Sequence, residues 1–150
     1  MTSLPLAWQG KGTQAELPQI AREIATRVMV VDPFCLWLVG DLGAGKTTLT
    51  GEMLRTLGLP KGARVTSPTF TYMNDYQAAG LWFAHLDLYR GNAAMTPEDL
   101  GLVDARAFRG FFVEWPESIP KSPVLTPTHV LKISFVDDGA ARLYELSTRA

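Results

Sequence analysis

Apolar residues recur at helical spacing early in the chain: Leu17, Ile20, Ala21, Ile24, Ala25 and Val28 fall on one face of a predicted helix. Thr13-Gln14-Ala15-Glu16, just before them, reads as a capping box that opens it. Asp32-Pro33 turns the chain out of that helix. The run Phe34-Cys35-Leu36-Trp37-Leu38-Val39 has the length and character of a buried strand and leads into a glycine-rich turn. Leu49, Met53, Leu54 and Leu57 then restore the helical period until Gly58 and the breaker-rich Leu59-Pro60-Lys61-Gly62 end it.

Beyond residue 65 the pattern becomes mostly β. Two stretches, about Thr69 to Gln77 and Leu81 to Leu88, are joined by Ala78-Ala79-Gly80 and predict a hairpin. Thr96-Pro97-Glu98-Asp99 predicts another helix start, with Thr96 as N-cap, Pro97 at the first helical position and acids facing the dipole. Phe111-Phe112-Val113-Glu114 is a short strand stopped by Trp115-Pro116. After a proline-rich connector, Val130 to Val136 and Arg142 to Leu146 predict a closing β pair around Asp137-Asp138-Gly139. No repeat, low-complexity tract or long linker divides the chain, so residues 1–150 are expected to form one P-loop domain. Strands and helices alternating in this way predict an α/β fold: a three-layer sandwich whose sheet is mixed and mainly parallel, with antiparallel hairpins.

Composition narrows the function classes. The net charge of −1 lacks the basic excess with which proteins grip nucleic acid unaided. Cys35 is the single cysteine and lies inside an apolar strand, which predicts a buried thiol and a reducing compartment. The first residues lack the charged-then-apolar pattern of a secretion signal. No apolar run approaches the ~20 residues that span a bilayer. The expected location is cytoplasmic, away from membranes.

The chemistry centres on Gly40-Asp41-Leu42-Gly43-Ala44-Gly45-Lys46-Thr47-Thr48, which fits G-x-x-x-x-G-K-[ST] between a strand and a helix. The glycines let backbone N–H groups turn inward around a polyphosphate, and the helix N-terminus adds its positive end. Gly43, Ala44, Gly45, Lys46, Thr47 and Thr48 are thus expected to bind nucleotide. Lys46 would reach the β- and γ-phosphates and Thr47 would sit on Mg²⁺. Such a site needs a carboxylate at a strand end. Two candidates exist, Asp87 after Phe83-Ala84-His85-Leu86 and Glu114 after Phe111-Phe112-Val113, on strands that could flank the P-loop strand. Either could orient the attacking water. Val65-Thr66-Ser67-Pro68-Thr69-Phe70-Thr71 follows the P-loop helix, where switch segments commonly lie, and its hydroxyls could contact the γ-phosphate or metal; a Ser-Pro turn entering a strand fits the same residues equally. His85 alternates with Asp87 on its strand, which predicts local packing or bonding in place of acid–base work.

Four motifs together, Gly40 to Thr48, Thr66-Ser67-Pro68-Thr69-Phe70-Thr71, Asp87-Leu88-Tyr89-Arg90 and Val113-Glu114-Trp115-Pro116-Glu117, resemble the TsaE (YjeE) family in order and spacing, over about Thr13 to Arg142. These are ATPases that bacteria require for threonylcarbamoyladenosine modification of tRNA. The resemblance implies that Lys46 and Thr47 serve phosphate and Mg²⁺, that Glu114 is the Walker B-type acid on Mg²⁺, and that Asp87 is a second acid needed for activity. It further implies that Trp115 is tied to nucleotide turnover and that Arg142 lies near the nucleotide. The family's Gly-Arg hairpin is interrupted here as Gly139-Ala140-Ala141-Arg142, and the segment between Thr96 and Phe111 is compressed.

The same resemblance implies the cofactors ATP/ADP and Mg²⁺, and a TsaD–TsaB complex as partner with TsaD the most direct contact. tRNA would be met only through that complex, whose turnover ATP hydrolysis would drive. Two other classes fit a P-loop of this size: a small-molecule kinase, told apart by phosphate transfer to an acceptor, and a non-catalytic ATP-sensing module, which would hydrolyse nothing. No Asn-Lys-x-Asp motif supports a GTPase.

Overall fold

The computed structural model describes residues 4–68, 71–91, 95–102 and 107–149. Seven strands, β1 (Leu6–Gly12), β2 (Phe34–Val39), β3 (Met73–Ala78), β4 (Leu81–Asp87), β5 (Gly110–Glu114), β6 (His129–Val136) and β7 (Ala141–Thr148), form one sheet in the order β1-β7-β6-β2-β5-β4-β3. The four central strands β6, β2, β5 and β4 run parallel. β7 and β1 on one side and β3 on the other are antiparallel. The result is the mixed, mainly parallel α/β sheet that the sequence predicts.

β2 is apolar on both faces because a central parallel strand is covered on both. Phe34, Leu36 and Leu38 pack beneath two helices, α1 (Leu17–Val28) and α2 (Lys46–Thr56). Cys35 and Trp37 face the other way, with Leu86, Phe111, Val113, Leu100 and Leu125. That second layer is built from loops and single 3₁₀ turns at Glu98–Leu100, Pro116–Ser118 and Pro123–Leu125. All six apolar positions of the predicted α1 face are buried. Each fully buried Leu, Ile or Val among them contributes roughly 1.5–3 kcal/mol. The capping box forms as expected, with the Glu16 carboxylate accepting from the Thr13 backbone N–H at 2.9 Å, and a 3₁₀ turn over Gln14–Glu16 feeds straight into α1.

Three expectations change. Thr96 does cap a turn, accepting from the Asp99 N–H at 3.2 Å, but only the 3₁₀ turn Glu98–Leu100 follows. Gly101 enters the left-handed region (φ 98°), and the Leu102 N–H bonds back to the Pro97 carbonyl, which closes the turn. The run onward through residues 103–106 lies outside the described residues. β3 begins at Met73, later than Thr69, after Tyr72 at φ 62°; Thr69 and Phe70 lie outside the described residues. Finally, β5 lies between β2 and β4, so only the strand of Glu114 flanks the P-loop strand and the strand of Asp87 is one place further out. Among the described residues no helix is long and apolar enough to cross a membrane.

Candidate functional site

β2 delivers the chain into the glycine loop and α2 takes it away, beginning at Lys46. Gly43 and Gly45 hold φ values of 83° and 105°, and an added Cβ at either would meet no atom within 4 Å. Their backbone conformation, with open space beyond it, is what glycine provides at a cradle that something else must fill. The Lys46 ammonium lies on this loop, donating to the Gly40 carbonyl at 2.6 Å and to the Asp41 carbonyl at 3.3 Å, with the Trp115 ring centroid 3.9 Å away. Burial pulls its pKa below the usual lysine value, and the charges of Glu114, Asp87, Glu117 and Asp41 oppose that shift.

The acids stand beside this loop by strand register. Parallel pairing of β4 and β5 sets Asp87 opposite Glu114, and alternation puts both on the helix-bearing face of the sheet, with Phe83, His85 and Phe112. Glu114 is buried, and its Oε2 accepts from the Thr47 hydroxyl at 2.7 Å. His85 Nε2 meets the same oxygen at 2.6 Å. Asp87 accepts from the Ser67 hydroxyl through Oδ2 and from the Tyr89 N–H, at 3.0 Å, through Oδ1. Among the described residues of the Thr66 to Thr71 segment, Ser67 is therefore the one that joins the acids. That segment is held from β3, where the Asn74 amide donates to the Thr66 carbonyl at 3.2 Å and the Tyr76 hydroxyl accepts from the Thr66 N–H at 3.3 Å.

Trp115 follows Glu114 with φ 56° and ψ 59°, a left-handed conformation that a bulky residue adopts only where its surroundings impose it. Its ring lies over Lys46 and tilts against Tyr89 at 4.9 Å. Lys46, Thr47, Thr48, Ser67, Asp87, Glu114 and Trp115 share the walls of one cleft of about 350 Å³. A second, of about 260 Å³, lies along the other side of Gly43, Gly45 and Thr48, walled by Gly12, Thr13, Leu17, Ala44, Arg142 and Tyr144. Despite the interrupted hairpin, Arg142 reaches the glycine loop, donating from Nε to the Ala44 carbonyl at 3.1 Å. Lys46, Thr47, Thr48, Asp87, Glu114 and Trp115 thus line a cleft with Gly43 and Gly45, and Arg142 lines the one on their other side. The sequence reading missed the His85–Glu114 contact, which depends on β5 lying beside β4, and the share of Gly12, Thr13 and Tyr144 in the second cleft.

The donor set suits a magnesium polyphosphate. Magnesium keeps several waters and takes only one or two protein oxygens beside the phosphates. Thr47 and Glu114, already in contact, supply one hydroxyl and one carboxylate. Among the described residues no group of three or more His, Cys, Asp or Glu side chains could hold a metal alone.

The family described as "Threonylcarbamoyl adenosine biosynthesis protein TsaE" matches residues 12–144. A tRNA threonylcarbamoyladenosine biosynthesis protein TsaE from Haemophilus influenzae is 35% identical over 125 residues, covering 78% of this chain and 73% of that protein. The Bacillus subtilis protein of the same name is 42% identical over 85 residues, or 56% and 51% of the two chains. Among solved structures, Bacillus subtilis YdiB superposes with a TM-score of 0.65 at 23% identity, covering all of this chain (100%) and 90% of that one, a likeness of fold.

Proposed function

The chain belongs to the TsaE family, and from that membership together with the cleft chemistry we propose that it is a magnesium-dependent ATPase serving threonylcarbamoyladenosine modification at position 37 of tRNA. The observation that carries this reading is the Thr47 hydroxyl on the Glu114 carboxylate, with Asp87 in register beside it at the mouth of a glycine loop.

In this reading the 350 Å³ cleft receives the phosphates and the 260 Å³ cleft the nucleoside end, with the glycine loop between them. The α2 N-terminus and the loop amides bind the β- and γ-phosphates, and Lys46 leaves the Gly40 carbonyl to join them. Thr47 and Glu114 would hold magnesium beside those phosphates, and its charge, when bound, would offset the negative charge that develops on the γ-phosphoryl group. Water attacks the γ-phosphorus in line; its bond to phosphorus forms as the bond to the β–γ bridging oxygen breaks, and ADP and phosphate result. Asp87 and Glu114 are the acids able to orient that water. Most of the acceleration is positioning and charge stabilisation.

Hydrolysis drives turnover of a TsaD–TsaB complex in the cytoplasm, TsaD making the direct contact and tRNA being met through the complex. The test is phosphate release with and without purified TsaD–TsaB, for wild type, Lys46→Ala and Glu114→Ala. Slow turnover alone, stimulation by the complex, and loss in both variants are expected. Equal rates with and without the complex would overturn the partner, and undiminished turnover by Lys46→Ala would overturn the site.

A further inference from the structure

His85 is fully buried on β4, among Phe83 and Phe112 and two residues before Asp87, and has no part in the reaction just described. Its Nε2 lies 2.6 Å from Glu114 Oε2. A carboxylate only accepts, so Nε2 carries the hydrogen. The other ring nitrogen, Nδ1, is buried with no hydrogen-bond partner among the described residues. A leucine or phenylalanine would fill this buried position without stranding a polar atom, so the hydrogen bond to Glu114, the one His85 makes among the described residues, is what the imidazole provides over an apolar side chain.

Among the described residues Glu114 has two hydrogen-bond donors, and both meet on Oε2. One is the Thr47 hydroxyl, whose single hydrogen belongs to a group with a further duty toward magnesium. The other is His85, whose ring is fixed by the core and has no further duty. We propose that His85 is a positioning residue for ATP hydrolysis: it holds the Glu114 carboxylate against Thr47 in the orientation that turnover requires. The proposal rests on the ATPase reading of the cleft.

Two measurements test it. Glutamine can place an amide N–H where Nε2 stands, whereas asparagine reaches only as far as Nδ1. Removing a group that orients a metal-site ligand commonly costs about 10–100-fold. With the partner complex present, His85→Asn and His85→Leu are expected to lose kcat by about that factor, with a KM for ATP within about threefold of wild type. His85→Gln should recover most of the loss at a similar Tm. Independently of turnover, ¹⁵N NMR of the nucleotide-free protein, which has two histidines, should show His85 as the Nε2–H tautomer. That proton should exchange slowly in wild type and fast in Glu114→Ala. His85→Asn turning over like wild type, His85→Gln falling as far as His85→Asn, or an Nδ1–H tautomer would each overturn the proposal. Should His85→Leu fail to fold, the comparison of Gln with Asn and the NMR signature still decide. Wild-type protein releasing no phosphate would remove the ATPase reading itself, whereas wild-type turnover left intact in His85→Asn removes this inference alone.

Discussion

Lys46 illustrates how the lysine of a glycine loop is held in place at the expense of the fold. Its ammonium is buried, bonded to loop carbonyls and roofed by Trp115. Burial is the leading cause of its lowered pKa, so the charge costs folding free energy even with Glu114 and Asp87 nearby. The sign follows from proton binding. Below the folded-state pKa the cost is present in full; as pH rises from there toward the unfolded value of 10.5, the unfolded chain binds more protons and the cost is relieved. Lys46→Met should therefore raise the melting temperature of the nucleotide-free protein, by about 2–4 °C for each kcal/mol relieved, while abolishing ATP binding. The gap between variant and wild type should narrow as the pH approaches 10.5. Scanning calorimetry across pH reads both effects, and a lower melting temperature at neutral pH would contradict the argument. The sequence made Lys46 legible through its motif; the Trp115 roof was not legible, because it depends on a left-handed φ of 56° that no local pattern announces.

The elements that carry the site owe their alignment to tight sheet packing. Gly110 opens β5 in register with Phe34 of β2 and Phe83 of β4. The Phe34 ring lies over it so closely that an added Cβ would stand 2.1 Å from Cε2. Phe112 meets Phe34 edge-on at 5.4 Å and completes the cluster beneath Glu114. Gly110→Ala should destabilise by roughly 1–3 kcal/mol through overpacking, read from urea denaturation. Adding Phe34→Leu should recover part of that loss, as expected of residues that share one space. Unchanged stability in the single variant would refute this packing account. Element by element, α1, β2, α2 and the closing pair β6 and β7 were readable because period and breakers agree. β1 was not, since six of its seven positions are exposed or half-buried, and it carries two glycines and is held to β7 by backbone pairing. The helix expected at Thr96 had its start signal intact and failed on Gly101 five residues on. Strand order was the larger gap: nothing within Phe83 to Asp87 tells that β5 intervenes before β2, and on that order the contact between His85 and Glu114 depends.

At the scale of the whole molecule, both ends of the described chain meet on one edge, with β7 between β1 and β6, and Arg142 of β7 bonded to the glycine loop. The 260 Å³ cleft is thus walled by Gly12, Arg142 and Tyr144, far apart in sequence, so a nucleotide bound there would bridge the chain ends to the central strand. Cys35 reports on that coupling. It lies on β2 just before the loop, 1% exposed, with its thiol pushed up to about 12 by burial from 9.0. In the folded protein it stays protonated at pH 8 and out of reach of an alkylating reagent. The thiol makes no pH-dependent demand on stability below pH 9.0, and between there and about 12 stability falls, because the unfolded chain loses the proton first. Labelling at pH 8 should therefore require opening of the central sheet, at a rate set by the open population when reclosing is fast. A nucleotide that binds only the closed form should slow labelling by a factor of 1 + [L]/Kd, about 100-fold at one hundred times Kd. Mass spectrometry of Cys35 labelling with and without magnesium ADP measures this. Protection that tracks nucleotide occupancy would mean that the glycine loop, the chain ends and β2 open as one unit. Labelling indifferent to bound nucleotide would mean that β2 opens while the loop remains intact, and the coupling through Arg142 would then be refuted.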